Sequence, residues 1–171
     1  ISSIQSDYEK LNLQFHLTVI NYESLHKIPN LKWDCIIVDE AHGLGAIPKP
    51  SKRAKQIKNL IQRTYPYVIL LSGTPTPENY SQMYHQVYGI PHNPFNQYKN
   101  FYRFSDDYVN VKVKTLGGVH IRDYSGGRED IIHKMKPYTI SFTQKDAGFK
   151  VDTNEKILYV DIPSDLKDHL S

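Results

Sequence analysis

Cysteine is almost absent from this chain: Cys35 stands alone among 171 residues, so no disulfide can close within it. That usage fits a reducing compartment. With no cysteine pair and with its eight histidines scattered, the sequence offers no zinc-ligand spacing. No run approaches the roughly 18 consecutive apolar residues of a membrane-spanning helix. No Gly-Lys-Ser or Gly-Lys-Thr occurs, which excludes a complete phosphate-cradling P-loop from these residues. Internal repeats and low-complexity segments are also missing. Acidic residues vanish over one long interval. From Gly43 to Pro77 there is no Asp or Glu, while Lys49, Lys52, Arg53, Lys55, Lys58 and Arg63 all fall inside it. A basic run of this kind is either a solvated helix face or a track for phosphates, and the residues alone leave both open.

What is present fits one soluble domain with a real core: 39% hydrophobic and 23% charged residues, thirteen tyrosines, and a mild net charge of +3. The apolar run Cys35-Ile36-Ile37-Val38 gives way abruptly to Asp39-Glu40-Ala41-His42. This is the pattern of a buried parallel strand ending in functional polar groups, and it makes Cys35 a small buried hydrophobe. A second run, Tyr67-Val68-Ile69-Leu70-Leu71, ends in Ser72-Gly73-Thr74-Pro75. Between them, Ser51 is a candidate N-cap for a helix to about Thr64, with Ala54, Ile57, Leu60 and Ile61 recurring on one face. Strand, helix and strand make a βαβ unit with both polar tips on one rim of a sheet, where open α/β sheets bind ligands.

The pair Asp39-Glu40-Ala41-His42 and Ser72-Gly73-Thr74-Pro75 resembles the Walker B (DEAH) motif and the third motif of superfamily-two helicases. The flanking residues are similar to the Swi/Snf-type ATPases and their virus-encoded relatives: Thr18-Val19-Ile20-Asn21-Tyr22-Glu23-Ser24-Leu25 upstream, Trp33-Asp34 before the strand, Pro50-Ser51-Lys52-Arg53 after it. The likeness runs from about Phe15 to Tyr88 and returns more weakly from Ile131 to Leu170. The family's Arg-rich stretch is lacking at Thr139-Ile140-Ser141-Phe142.

The resemblance implies an α/β fold: an incomplete RecA-like P-loop-NTPase lobe, a mostly parallel sheet flanked by helices, with an irregular insertion. Residues 1–88 would be the latter part of the first lobe, 89–135 a protrusion, and 136–171 the closing strands and the start of a connection to a second lobe. Only 38 residues precede Asp39, so the P-loop lysine and the second lobe with its arginine finger are expected outside these residues, and the chain alone is expected to be inactive. The implied activity is ATP hydrolysis coupled to movement on DNA, double-stranded favoured over single-stranded, in cytoplasm or nucleus. The implied cofactors are ATP and Mg²⁺. Asp39 would hold Mg²⁺, Glu40 would orient or deprotonate the attacking water, and His42 would sense the nucleotide. Ser72, Gly73 and Thr74 would couple nucleotide state to nucleic-acid grip, which Tyr22, Ser24, Lys52 and Arg53 are candidates to contact. Tyr22 packed over the sheet edge and Ser24 capping a turn are the alternatives. A non-catalytic DNA- or protein-binding module on the motor fold is the rival reading. A metal enzyme using Asp39, Glu40 and His42 lacks the His-Glu-x-x-His arrangement.

The remaining sequence predicts a short helix over Ser6–Leu13 capped by Ser6 or Asp7, a strand over Phe15–Asn21, a turn at Tyr22–Leu25 and another at Pro29-Asn30. Trp33 is expected to pack at the start of the acidic strand. Thr76 and Pro77 would open a helix whose stripe is Tyr80, Met83, Tyr84 and Val87. From Gly89 to Tyr124 the pattern is irregular, and Phe101 and Tyr102 with Lys99 and Arg103 read as a satellite core or a nucleic-acid contact. A helix over Arg128–Met135, strands over Tyr138–Phe142 and Lys156–Asp161, and a helix from Ser164 complete the reading.

Overall fold

The computed structural model describes residues 2–74, 78–142, 146 and 148. Residues 1–138 form one compact unit and 139–171 a second. Among its described residues the first unit holds five α-helices, α1 (Ser2–Leu11), α2 (Lys52–Thr64), α3 (Met83–Gln86), α4 (Phe101–Tyr108) and α5 (Asp130–Met135), and four strands, β1 (Cys35–Val38), β2 (Tyr67–Leu70), β3 (Lys112–Leu116) and β4 (Val119–Asp123).

The βαβ unit is as the sequence predicts. β1 and β2 pair in parallel, Cys35 opposite Tyr67 through Val38 opposite Leu70. Ser51 caps α2, its hydroxyl accepting the Ala54 N–H at 3.1 Å. Ala54, Ile57, Leu60 and Ile61 are all buried. Ala54, Ile57 and Ile61 join Val38, Ala41 and Leu44 in one cluster, with Ile36, Val68 and Leu70 packed against it. Tyr65, in left-handed backbone (φ 48°), closes the helix by donating its N–H to the Ile61 carbonyl at 2.8 Å.

The expected burial of β1 is corrected. Only Val38 of the strand is buried, and Cys35 is exposed. Period-two alternation sends Ile36, Val38, Val68 and Leu70 toward α2, and Cys35, Ile37, Tyr67 and Ile69 away from it. With two strands and a helix on one face, the second face stays open, and Tyr67 is 84% exposed. Among the described residues the sheets are this parallel pair and a separate antiparallel hairpin, a small mixed α/β arrangement.

Phe15–Asn21 is not a strand. Among the described residues it has no ladder partner, and β-branched composition without a partner leaves backbone groups to solvent. Tyr22–Lys27 then forms a 3₁₀ helix with Asn21 as its cap. The first helix starts at Ser2, before the proposed caps. Tyr138 closes a 3₁₀ turn, and Thr139–Phe142 carries no regular structure, with Ile140 96% exposed, so the strand expected there is absent. The cap at Thr76 and Pro77, the strand over Lys156–Asp161 and the helix from Ser164 lie outside the described residues.

The segment read as irregular holds order of its own. α4 is capped by Asn100, whose side chain accepts the Arg103 N–H at 3.1 Å. β3 and β4 are joined by Gly117-Gly118, both at positive φ (56° and 79°), the backbone that a two-residue hairpin turn requires. α4 carries Phe101, Phe104 and Tyr108 into the larger buried cluster, with Met83, Tyr84, Val87, Phe95, Val109, Tyr124, Ile131 and Met135. Phe104 has no exposed surface and meets Phe95 edge-on at 5.0 Å and Tyr108 face-on at 5.2 Å. The expected stripe of Met83, Tyr84 and Val87 is core, and Phe101 lies in the main core.

Among the described residues His85 is the histidine sealed in this core, 2% exposed and stacked on Phe101 at 5.5 Å. Its Nδ1 bonds the Ala46 carbonyl at 2.6 Å. Burial lowers its pKa from 6.5 to about 4 against the opposing pull of that carbonyl, and the Lys58 ammonium lowers it further. A histidine kept neutral in the fold stabilises it above its unfolded pKa, and that stability fades as pH falls from about 6.5 toward 4. Denaturant unfolding between pH 7 and 4 is therefore expected to lose about 3 kcal/mol through His85, and the wild-type minus His85→Gln difference should shrink by that amount over the same range.

Candidate functional site

Two backbone bonds bring the polar tips together. The Leu71 N–H donates to the Val38 carbonyl and the Ala41 N–H donates to the Leu71 carbonyl, each at 2.9 Å. They prolong the β1–β2 ladder by one step beyond the strands and hold the loop after β1 beside the loop after β2. The chain then turns sharply. Glu40 sits in left-handed backbone (φ 49°), and Ala41–Leu44 winds into a 3₁₀ helix anchored by buried Ala41 and Leu44. A non-glycine residue held in this region costs on the order of 1 kcal/mol, offset here by the anchoring on both sides.

This turn aims three side chains at one another. His42 Nδ1 stands 3.1 Å from Glu40 Oε2 and 3.0 Å from Ser72 Oγ. A hydrogen on Nδ1 suits both neighbours, since a carboxylate and a hydroxyl oxygen can each accept it. Ser72 Oγ also accepts the Thr74 N–H at 3.2 Å. The structure thus joins Glu40, His42, Ser72 and Thr74 into one polar chain across the two motifs. Gly73 sits between the last two with open space where a Cβ would lie. Asp39 and Glu40 are exposed.

A second set of contacts backs the acidic loop. The Tyr22 hydroxyl donates to the Asp39 carbonyl at 2.5 Å. Arg53, from the first turn of α2, lies 5.2 Å over the Tyr22 ring and bonds Glu23 Oε1 at 2.7 Å. Partial burial, then the Asp39 charge, raise the Tyr22 pKa against the opposing pull of Arg53, so the phenol stays protonated and able to donate. Tyr22 and Arg53, both sequence candidates for nucleic-acid contact, prove to be neighbours. Ser24 is half-buried, its backbone N–H held by the Asn21 side chain at 3.0 Å, and Lys52 is exposed. Glu23 was missed by sequence reasoning. Its signal is faint: an acid thirty residues before an Arg that itself lies in the acid-free stretch from Gly43 to Pro77.

The donor set bears on magnesium. Asp39 Oδ1 accepts the Glu40 N–H at 3.0 Å, and among the described residues no three His, Cys, Asp or Glu side chains gather around one point. One exposed carboxylate suits Mg²⁺ held largely by phosphate oxygens and water, and does not suit a protein-caged metal. Two shallow surface depressions, of about 540 and 460 Å³, are lined by residues outside this loop, including Arg128 and His133 in the first and Arg63 and Tyr65 in the second. No helix among the described residues is long and apolar enough to cross a membrane.

Comparison with known proteins gives a consistent picture. The family described as the SNF2-related domain matches residues 4–164. The chain is 30% identical over 94 residues to a Chromodomain-helicase-DNA-binding protein 3 homolog of Caenorhabditis elegans, covering 53% of this chain and 5% of that protein. It is 26% identical over 102 residues to the CHD3-type chromatin-remodeling factor PICKLE of Arabidopsis thaliana, covering 57% of this chain and 7% of the relative. It is 27% identical over 107 residues to the RNA polymerase-associated protein RapA of Cronobacter sakazakii, covering 60% and 11%. The chain therefore spans only a small fraction of the length of these relatives. No solved structure matches it.

The bond from Tyr22 to the Asp39 carbonyl is expected to stabilise the loop. Tyr22→Phe keeps the ring under Arg53 and removes the donor, so it should lower unfolding free energy by about 1 kcal/mol at an unchanged denaturant slope.

Proposed function

Because the chain belongs to the SNF2-related domain family, we propose that it is part of an ATP-dependent motor that couples ATP hydrolysis to movement on DNA. In this reading residues 1–88 are the latter part of a RecA-like first lobe, 89–135 a protrusion and 136–171 the connection toward a second lobe. The observation that carries the reading is the Glu40–His42–Ser72 contact at 3.1 and 3.0 Å, which links an acidic loop to the tip of the adjacent parallel strand. A carboxylate that positions water needs a fixed bearing, and a motor needs that bearing to change with nucleotide state. One imidazole nitrogen shared by the carboxylate and the Ser72 hydroxyl supplies both.

Asp39 would hold Mg²⁺, which when bound neutralises charge on the transferred phosphoryl group. Glu40 orients the attacking water and takes its proton. His42 holds Glu40 and passes the state of that contact to Ser72. Ser72 in turn sets the Thr74 backbone through the 3.2 Å bond, which gives the loop of Ser72, Gly73 and Thr74 its coupling role. Such catalysis is largely positioning and charge neutralisation. Tyr22 and Arg53 brace the acidic loop's flank, and with Ser24 and Lys52 they are the proposed nucleic-acid contacts, Arg53 being able to exchange Glu23 for a phosphate. The relatives' names, a helicase-DNA-binding protein and a chromatin-remodeling factor, support DNA as the track; double-stranded DNA is the form proposed for it.

The test is turnover by the intact protein. Glu40→Gln should lower ATP hydrolysis by about 10²-fold or more while ATP binding persists, and retained turnover overturns the general-base role. The 171 residues contain no Gly-Lys-Ser/Thr, so the same chain purified alone should show no hydrolysis. Measurable turnover by it would contradict the division of the site proposed here.

A further inference from the structure

The β3–β4 hairpin takes no part in the acidic site, and no residue from 112 to 123 belongs to the buried clusters. It is nevertheless firmly rooted. The Asn110 N–H donates to the Gly126 carbonyl at 2.8 Å. The fully buried Ser81 hydroxyl donates to the Tyr124 carbonyl at 2.7 Å, and the Tyr124 ring meets Phe101 edge-on at 5.4 Å. From that base the ribbon projects into solvent, leaving Val113, Leu116, Val119 and Ile121 between 49% and 73% exposed. A hairpin alone is marginal in water, and an apolar ribbon held out in this way is the mark of a surface with a partner.

The register says what kind of partner. Opposed residues share a face. Lys112 and Lys114 lie on one face with Leu116, Val119, Ile121 and Asp123, while Arg122 and His120 lie on the other with Val113 and Thr115. Asp123 is committed to Lys114 at 2.7 Å and to Ser125. Lys112 and Arg122 have no carboxylate partner among the described residues. Cations on both faces of a ribbon with an apolar tip complement a groove walled by phosphates on either side. Two strands about 4.8 Å apart and five residues, about 16 Å, long fit within a DNA major groove about 12 Å wide. A single strand would call for aromatic stacking platforms, and residues 112–123 contain no Phe, Tyr or Trp.

We propose that the hairpin Lys112–Asp123 is a duplex-DNA contact, seated in the major groove with Lys112 against one phosphate backbone, Arg122 against the other, and Leu116 and Val119 at the base edges. The choice of DNA as the polyanion rests on the motor reading. The surface itself is independent of the nucleotide site.

The test is a salt series of duplex binding by the intact protein. K112A/R122A should weaken binding and lower the slope of log affinity against log salt by about two, one for each phosphate no longer neutralised. K112R/R122K should keep the wild-type slope, L116S/V119S should weaken binding without changing it, and DNA-independent ATP turnover should be the same in all. Amine acetylation of the wild type should show Lys112 protected by duplex, a readout that needs no variant to fold. If wild type binds duplex while K112A/R122A keeps its affinity and slope, or Lys112 reacts equally with and without duplex, the hairpin proposal is overturned and the motor reading stands. Polyglutamate displacing duplex from the hairpin at equal affinity would reassign the surface to acidic proteins and overturn it also. A wild type with no duplex binding and no DNA-stimulated turnover overturns both readings.

Discussion

The site depends on one short stretch of backbone ladder. Val38 and Leu71, then Leu71 and Ala41, are joined by bonds of 2.9 Å, and these bonds fix the height at which two loops leave the sheet. A one-residue slip of β2 against β1 would turn Val68 and Leu70 away from α2 and carry Ser72 out of reach of His42. The register is secured from below by the amphipathic face of α2. The apolar spacing of a basic helix thus determines whether a glutamate and a serine about thirty residues apart share one imidazole.

A second constraint acts through tyrosine and arginine. The phenol of Tyr22 reaches the backbone of Asp39, and the guanidinium of Arg53 covers that ring while binding Glu23. The pair links the 3₁₀ helix before β1 to the first turn of α2, so the acidic loop is braced on its flank as well as from the sheet. The ion pair itself is exposed on both sides and adds little energy in water. What it contributes is placement.

Much of this was legible in the residues. The change from Cys35–Val38 to Asp39–Glu40, the Ser51 cap, the buried stripe of α2 and the parallel pairing all follow from local chemistry and period. The strand over Phe15–Asn21 was not legible, because β-branched composition reports suitability for a sheet and not the presence of a neighbour. The exposure of Cys35 has a related cause: an apolar run does not say whether one face or two will be covered. The hairpin had a clear signal, Gly117-Gly118 between two alternating runs, obscured by the aromatics and prolines before it. The larger aromatic core is legible only in pieces, the stripe of Met83, Tyr84 and Val87 and a satellite core at Phe101, because its members, from Met83 to Met135, are drawn together only by tertiary contact. Within the site, the shared His42 nitrogen depends on the left-handed turn at Glu40, which no residue preference announces.

Leu70 and Ile90 are packed against both buried clusters, the one beneath the acidic loop and the aromatic one beyond it. Leu70 is also the last strand residue before the loop that carries Ser72. Two close-packed bodies that share such side chains cannot shift independently, because dense interiors transmit displacement and do not absorb it. A load applied to the aromatic body is therefore felt at the end of β2 as a change in strand-end position.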